Sequence, residues 1–187
     1  MLTNIFRYLK SLAPQPRGNA GREFIEKFVL VVPVTAEEVD RMRSDLVLDY
    51  QTAVKATLLV HVYGIHLALQ GAAARKVIQQ TDKTTFEMEM LSRFLDASLK
   101  KLGVNGNAHS LYGEMSRHME DMDSEFRANA NDTNGPFFAV TKCFMRIVRG
   151  EDLADIAVMF TIAASIGNHM QSTVEMFDVL YENEYRF

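Results

Sequence analysis

Residues 153–182, LADIAVMFTIAASIGNHMQSTVEMFDVLYE, decide the fold class. Apolar or small side chains recur every three or four positions here, which is the spacing of one face of an α-helix. The stretch follows the turn Gly150-Glu151-Asp152 and carries almost no residue suited to chemistry. It predicts a long core helix in a protein that works through shape and contact. The residues assigned to its buried face are Leu153, Ile156, Ala157, Phe160, Ala164, Gly167, Met170, Val174, Phe177 and Leu180.

Nearer the amino terminus, two more helical segments are predicted. Residues 20–31 form a short helix or, as the alternative, a strand, because a β-branched apolar run closes on Pro33. Thr35 with Glu38 has the spacing of a capping box, in which each residue bonds the backbone of the other. We expect this box to open a helix that kinks near Tyr50.

Capping residues predict where the next two helices begin and where the first of them ends. Thr84 with Glu87 predicts a second capping box, and the helix that it opens is expected to end at Gly103. Asn107 is expected to cap a further helix, and residues 131–136 form a loop rich in Asn, Asp and Gly. The inner face of the Asn107 helix is assigned to Leu111, Met115, Phe126 and either Met119 or Met122.

These segments predict an all-α, single-domain orthogonal bundle of six to eight helices over residues 20–187. Residues 1–19 are expected to form an amphipathic amino-terminal helix and a Pro/Gly linker. The apolar face of that helix would contact a membrane or a protein partner, although it could also fold back on its own domain. The contact residues are Leu2, Ile5, Phe6, Leu9 and Leu12.

Composition excludes several classes of function. The formal net charge of -4, without a basic stripe, argues against nucleic-acid binding. Cys143 is the single cysteine, which rules out an internal disulfide and fits a reducing compartment. Judged from the nearly uncharged run at residues 156–166, the chain has no membrane span. No secretory signal is expected, so the location is cytoplasmic or on the mitochondrial matrix side, peripheral on the inner membrane.

No constellation of residues supports catalysis or a bound metal. His61 and His66 lie about 140° apart around a helix, which places them poorly for one metal ion. Glu114 and His118 share a helical face but are better explained as a solvated charged surface. We therefore predict neither enzymatic activity nor a cofactor. The alternative is a metal-binding or haem-binding bundle that would use His109, His118 or His169.

The 11 methionines suggest an adaptable apolar surface, because the Met side chain is flexible and polarisable. A candidate client groove would contain Met115, Met119 and Met122. Gly167 interrupts the apolar face of the last helix, where it indicates either a close helix crossing or a bend that shapes the groove. We favour the crossing, because a glycine on a buried face usually serves packing, and we also include Gly167 among the candidate groove residues.

Several segments resemble those of one known family in order and spacing. Residues 58–63, LLVHVY, followed by Gln70-Gly71 and Arg75-Lys76, are similar to a leucine-histidine helix that runs into a short basic loop. Leu102-Gly103-Val104 is similar to the turn that closes the next helix. The family is the ubiquinol-cytochrome c chaperones. Further similar segments are residues 94–99, Leu111-Tyr112-Gly113 to Met122, residues 138–144, Arg149-Gly150 and Glu184-Tyr185-Arg186-Phe187.

This resemblance implies a chaperone that assists cytochrome b and the assembly of the respiratory bc complex. The function expected from it is a non-enzymatic assembly factor that holds a newly made apolar membrane subunit. A helical adaptor or accessory structural subunit of a larger protein complex is the alternative.

Overall fold

The computed structural model describes residues 25–27, 33–74, 80–131 and 136–150, together with separate positions between 157 and 179. Within these ranges the continuous helices are α1 Ala36–Leu46, α2 Tyr50–Ala74, α3 Gln80–Leu102, α4 Ala108–Ala128 and α5 Pro136–Arg149. Every described position after Gly150 is helical, and no strand occurs in the described part of the chain. The all-α prediction is confirmed. The predicted amino-terminal helix at residues 1–19 lies outside the described residues, as does most of the 20–31 segment.

α2 is the central helix of the bundle. Its side chains are apolar nearly all the way round, and it contacts α1, α3 and α4. A helix that is apolar on every side must be surrounded by other elements to leave water. The chain before α1 also joins this core, because the buried Val34 donates its backbone N–H to Ser98 Oγ on α3 at 3.2 Å.

The uncharged character of α2 corrects the expectation about membrane spans. The run at residues 156–166 is not the longest, because residues 56–74 contain no Asp, Glu, Lys or Arg. By length and composition Tyr50–Gly71 could cross a membrane, with a mean hydropathy of 1.4. In the fold, 78% of an apolar stretch of 18 residues within this helix is buried inside the protein, as in a core helix.

The predicted kink near Tyr50 is instead a break between two helices. α1 ends in a Schellman motif, in which Leu48 N–H donates to Arg43 O at 3.0 Å and Val47 N–H donates to Ser44 O at 3.4 Å. Asp49 then precedes α2 and accepts from the Thr52 backbone N–H at 3.1 Å. The helical period continues across this break, so apolar spacing alone does not reveal it.

The capping predictions have mixed outcomes. The box of Thr35 with Glu38 and the cap at Asn107 are both confirmed. The second box is wrong, because α3 already runs from Gln80 and Thr84 lies inside it. Helix propensity of the preceding polar residues carries the helix through a sequence that also suits a cap. α3 ends at Leu102 and is followed by Gly103 with a φ of 65°, as predicted.

The carboxyl-terminal segment is helical where it is described, but its buried face differs from the prediction. Met159 and Ile166 are buried, whereas Ala157, Phe160 and Ala164 are exposed. Residues 156–167 are apolar or small almost all the way round a helix, so periodicity alone does not select the side that faces the core.

Val47 provides a test of backbone strain. It has a φ of 52° in the Schellman motif that ends α1, and 85% of its surface is exposed. Gly103 occupies the equivalent position in the Schellman motif that ends α3. A left-handed conformation costs an L-residue about 1–2 kcal/mol, and glycine avoids this cost. We predict that Val47→Gly raises the free energy of unfolding by about 1 kcal/mol in urea denaturation.

The matched control is Gly103→Ala, which places a side chain at the equivalent position of α3 and is predicted to lower stability by about 1 kcal/mol. Val47→Ala should change stability little, because it keeps the strained conformation and removes mostly exposed atoms. A Val47→Gly variant less stable than the wild type would contradict the role assigned to this strain.

Candidate functional site

Three helices bring a group of polar side chains together around His66 of α2. Its Nδ1 contacts Glu87 Oε1 of α3 in a short hydrogen bond, and its Nε2 lies 3.4 Å from Asp123 Oδ2 of α4. Gln70, one turn further along α2, places its amide nitrogen 3.2 Å from Nε2. Tyr63 stacks on the imidazole ring with centroids 5.9 Å apart and donates its hydroxyl to Asp123 Oδ1 at 3.4 Å. We call these five residues the His66 cluster.

The electrostatics of the His66 cluster favour a charged imidazole. The side chains of His66 and Glu87 are each 12% exposed, and that of Asp123 is 14% exposed. Burial lowers the pKa of His66, but the hydrogen bond and charge of Glu87, aided by Asp123, outweigh it and raise the pKa above its usual 6.5. The cluster can therefore hold a proton between two carboxylates.

The geometry of the His66 cluster does not resemble a metal centre. The two carboxylates lie against different nitrogens of one ring, on opposite edges, so they do not converge with a ring nitrogen on a common point. Among the described residues no group of three or more His, Cys, Asp and Glu side chains is arranged to hold a metal ion.

A second buried histidine connects α2 to α1. His61 Nε2 lies 3.4 Å from Glu38 Oε1, and its ring stacks on Phe94 of α3. Glu38 also accepts the backbone N–H and the hydroxyl of Thr35, both at 2.8 Å. Burial would raise the pKa of Glu38, but the hydrogen bonds from His61 and Thr35 lower it to about 2.

Two pairs of phenylalanine rings, each with one exposed and one partly buried member, lie where α5 meets α4 and the carboxyl-terminal segment. Phe126 and Phe137 meet edge to face with centroids 5.6 Å apart, and Phe138 lies 5.2 Å from Phe160. Phe137 is 38% exposed and Phe160 is 49% exposed. Lys142 places its ammonium 5.1 Å from the Phe138 ring centroid. We call the four phenylalanines the aromatic ridge.

The predicted client groove is not an open surface at its methionines. Met115, Met119 and Met122 are all buried in the hydrophobic core, so α4 buries both of the residues offered as alternatives. They face the core because α4 packs against α2, α3 and α5 through this side. Gly167 is partly exposed, and a Cβ built there would meet no described atom within 4 Å. The close helix crossing considered at Gly167 therefore has no counterpart among the described residues.

The other sequence candidates are dispersed. His109 is exposed at the start of α4, and His118 lies nine residues further along the same helix. The structure does not describe His169 or the predicted contact residues Leu2, Ile5, Phe6, Leu9 and Leu12. Glu114 bonds Lys55 of α2 at 2.8 Å across the surface. Cys143 is buried, and burial raises the pKa of its thiol, which disfavours the nucleophilic thiolate.

The spacing of Glu87 from Thr84 suits a capping box, and this local pattern conceals the part that Glu87 takes in the His66 cluster. The sequence nevertheless contains a signal that Glu87 has a buried partner. Glu87 shares a helical face with Met90, Leu91 and Phe94, which are all buried. A carboxylate on an apolar face indicates a buried partner, because an unpaired buried charge is costly.

No protein-family model matches the chain, and no curated protein or solved structure shows significant similarity to it. The assignment of function therefore depends on the residues themselves.

The contact between Glu38 and His61 predicts a specific acid sensitivity. A carboxyl with a lowered folded pKa stabilises the protein above its unfolded pKa, and this contribution is lost as the pH falls through the folded pKa. For Glu38 this window extends from 4.5 down to about 2. We predict that the stability difference between the wild type and Glu38→Gln narrows as the pH falls across this window, measured by urea denaturation.

Glu38→Gln is a useful variant because glutamine can preserve the capping box while it removes the charge. Thr35→Ala is the control, since it removes one side of the box and should cost about 1 kcal/mol. A difference between the wild type and Glu38→Gln that is the same at every pH would contradict the assigned role of the Glu38 charge.

Proposed function

We propose that this protein is a non-enzymatic assembly factor that binds a newly made, apolar membrane subunit. The observation that carries the proposal is the aromatic ridge. Large rings stay partly in water at Phe137 and Phe160, although nearby core positions are filled by smaller and more flexible side chains such as Met159. Exposed aromatic groups of this kind are enriched at sites of protein–protein contact.

The ridge suits an apolar helix as its ligand. Its rings present flat apolar surfaces, and ordering them on binding costs little conformational entropy because each side chain has two rotatable bonds. A membrane subunit exposes its transmembrane helices before assembly, and covering them removes apolar area from water. Lys142 over Phe138 keeps a cation beside the apolar surface, which helps to keep the free protein soluble.

The client favoured by this proposal is cytochrome b. It follows from the resemblance to the ubiquinol-cytochrome c chaperone family, which includes the leucine-histidine segment that the fold places in α2. The protein would act on the cytoplasmic or mitochondrial matrix side of the inner membrane. Residues 1–13, with an apolar face beside Arg7 and Lys10, would hold it near the site of insertion.

An adaptor or accessory structural subunit of a larger complex is the second candidate. The exposed rings of the aromatic ridge would suit a permanent interface equally well. The lifetime of the complex with the partner distinguishes the two functions, because an assembly factor releases its client whereas a subunit stays bound at fixed stoichiometry.

The aromatic ridge is testable by crosslinking. We predict that the double variant Phe137→Ser and Phe160→Ser reduces the crosslinking yield with newly made cytochrome b in membranes by about tenfold, because exposed aromatic anchors dominate such contacts. Its melting temperature should change little, since both rings are already substantially exposed.

The matched control is Met88→Ser, which removes a side chain that is 44% exposed on α3, a helix that contains none of the ridge residues. It should leave the crosslinking yield unchanged. An unchanged yield in the double variant would exclude the ridge as the contact surface, and a partner that stays bound at fixed stoichiometry would favour the adaptor.

The amino terminus is testable with liposomes. We predict that Phe6→Glu with Leu9→Glu abolishes binding to vesicles containing anionic lipid, because two charges would enter the apolar face. Thr3→Glu with Asn4→Glu adds the same charge to the polar face and should retain measurable binding. A large loss of thermal stability in the first variant would show instead that residues 1–13 pack on the domain.

A further inference from the structure

We propose that the His66 cluster is a proton-operated latch, in which the charged imidazole ties α2 to both α3 and α4, and in which loss of the proton removes the tie to α4 and loosens that helix locally. The observation behind this proposal is that one imidazole ring contacts two carboxylates from two different helices. Glu87 of α3 lies against Nδ1, and Asp123 of α4 lies 3.4 Å from Nε2.

Hydrogen-bond chemistry links this geometry to one protonation state. A neutral imidazole has one N–H donor and one acceptor nitrogen, whereas an imidazolium donates from both nitrogens. Two ionised carboxylates accept but do not donate, so only the charged ring can satisfy Glu87 and Asp123 together. Loss of the proton would leave a nitrogen lone pair facing one carboxylate.

Gln70 supplies the partner for the alternative state. Its amide nitrogen lies 3.2 Å from His66 Nε2, where it can donate to the neutral ring. Rotation of the amide by 180° would place its oxygen there instead, to accept from the charged ring. The site therefore has a satisfied partner for Nε2 in both states. The contact between the imidazole and Asp123 exists in the charged state alone, whereas the hydrogen bond from Tyr63 to Asp123 does not depend on the charge of the ring.

The surrounding charges act mainly on the α4 side of the latch. Asp123 also binds Arg127, one turn along α4, and accepts from the Tyr63 hydroxyl of α2. Tyr112 of α4 lies within the electrostatic reach of Glu87 and Glu120, which raise its pKa after burial. Asp123 thus keeps a cationic partner on its own helix when the imidazole becomes neutral, so loss of its contact with His66 leaves no unpaired buried carboxylate on α4.

The direction of the pH response follows from the raised pKa of His66. A histidine with a raised folded pKa stabilises the protein fully below its unfolded pKa of 6.5, and this contribution is lost as the pH rises through the folded pKa. The latch is therefore closed below pH 6.5 and opens as the pH rises through the raised folded pKa of His66. Phe126 of the aromatic ridge lies three residues beyond Asp123, so opening would loosen the end of α4 that carries the ridge.

The primary test combines NMR titration with hydrogen exchange on the full chain. We expect the His66 ring protons, assigned by their absence in His66→Gln, to titrate above pH 6.5. Exchange of the α4 amides near Asp123 should accelerate as the pH passes that point, beyond the intrinsic pH dependence of exchange. The opening equilibrium should shift by about tenfold for each pH unit that separates the folded from the unfolded pKa.

Two isosteric variants keep the test decisive if His66→Gln fails to fold. Glu87→Gln and Asp123→Asn each remove one negative charge, and each should lower the pKa of His66. Glu114→Gln is the matched control, because it removes an α2–α4 ion pair with Lys55 that contains no histidine. It should leave the titration of His66, and its coupling to α4 exchange, unchanged.

Two results would overturn the proposal. One is titration of His66 below pH 6.5 in the wild type. The other is α4 exchange, corrected for intrinsic rates, that stays constant while His66 titrates, because the ring would then change charge without holding the helix.

Discussion

The burial of α2 is the constraint on which the rest of the fold depends. Residues 56–74 carry no formally charged side chain of the Asp, Glu, Lys or Arg type, so this helix leaves water only if others enclose it. α1, α3 and α4 pack directly on it, and α5 is added through α4. The same helix is long enough to span a bilayer, but its enclosure by the other helices gives it the role of a core element.

The polar side chains of α2 help to specify its neighbours. A buried polar group that loses its partner costs about 1–3 kcal/mol, which penalises any packing that misplaces it. His61 meets Glu38 of α1, and His66 meets Glu87 of α3 and Asp123 of α4. Each pair joins α2 to a different helix, so these contacts discriminate among arrangements that the apolar surfaces alone would tolerate.

The distribution of apolar side chains separates the core from the candidate contact surface. Methionines of α4 fill the interior, where their flexibility suits irregular gaps between helices. In the aromatic ridge, Phe137 and Phe160 are exposed, and their rigid rings offer contact area at a low entropic cost. This arrangement moves the proposed client contact from the methionines of α4 to the aromatic ridge.

Local chemistry in the sequence determined the helical class, the cap at Asn107, the end of α3 at Gly103 and the capping box of Thr35, because each depends on neighbouring residues alone. The tertiary structure decided which faces are buried, since a segment that is apolar all round has no preferred side. It also decided the His66 cluster, in which His66, Glu87 and Asp123 come from three helices and lie 21 to 57 positions apart in the chain. No periodicity within one helix can show that three polar groups from three helices meet, because their proximity arises from packing around α2.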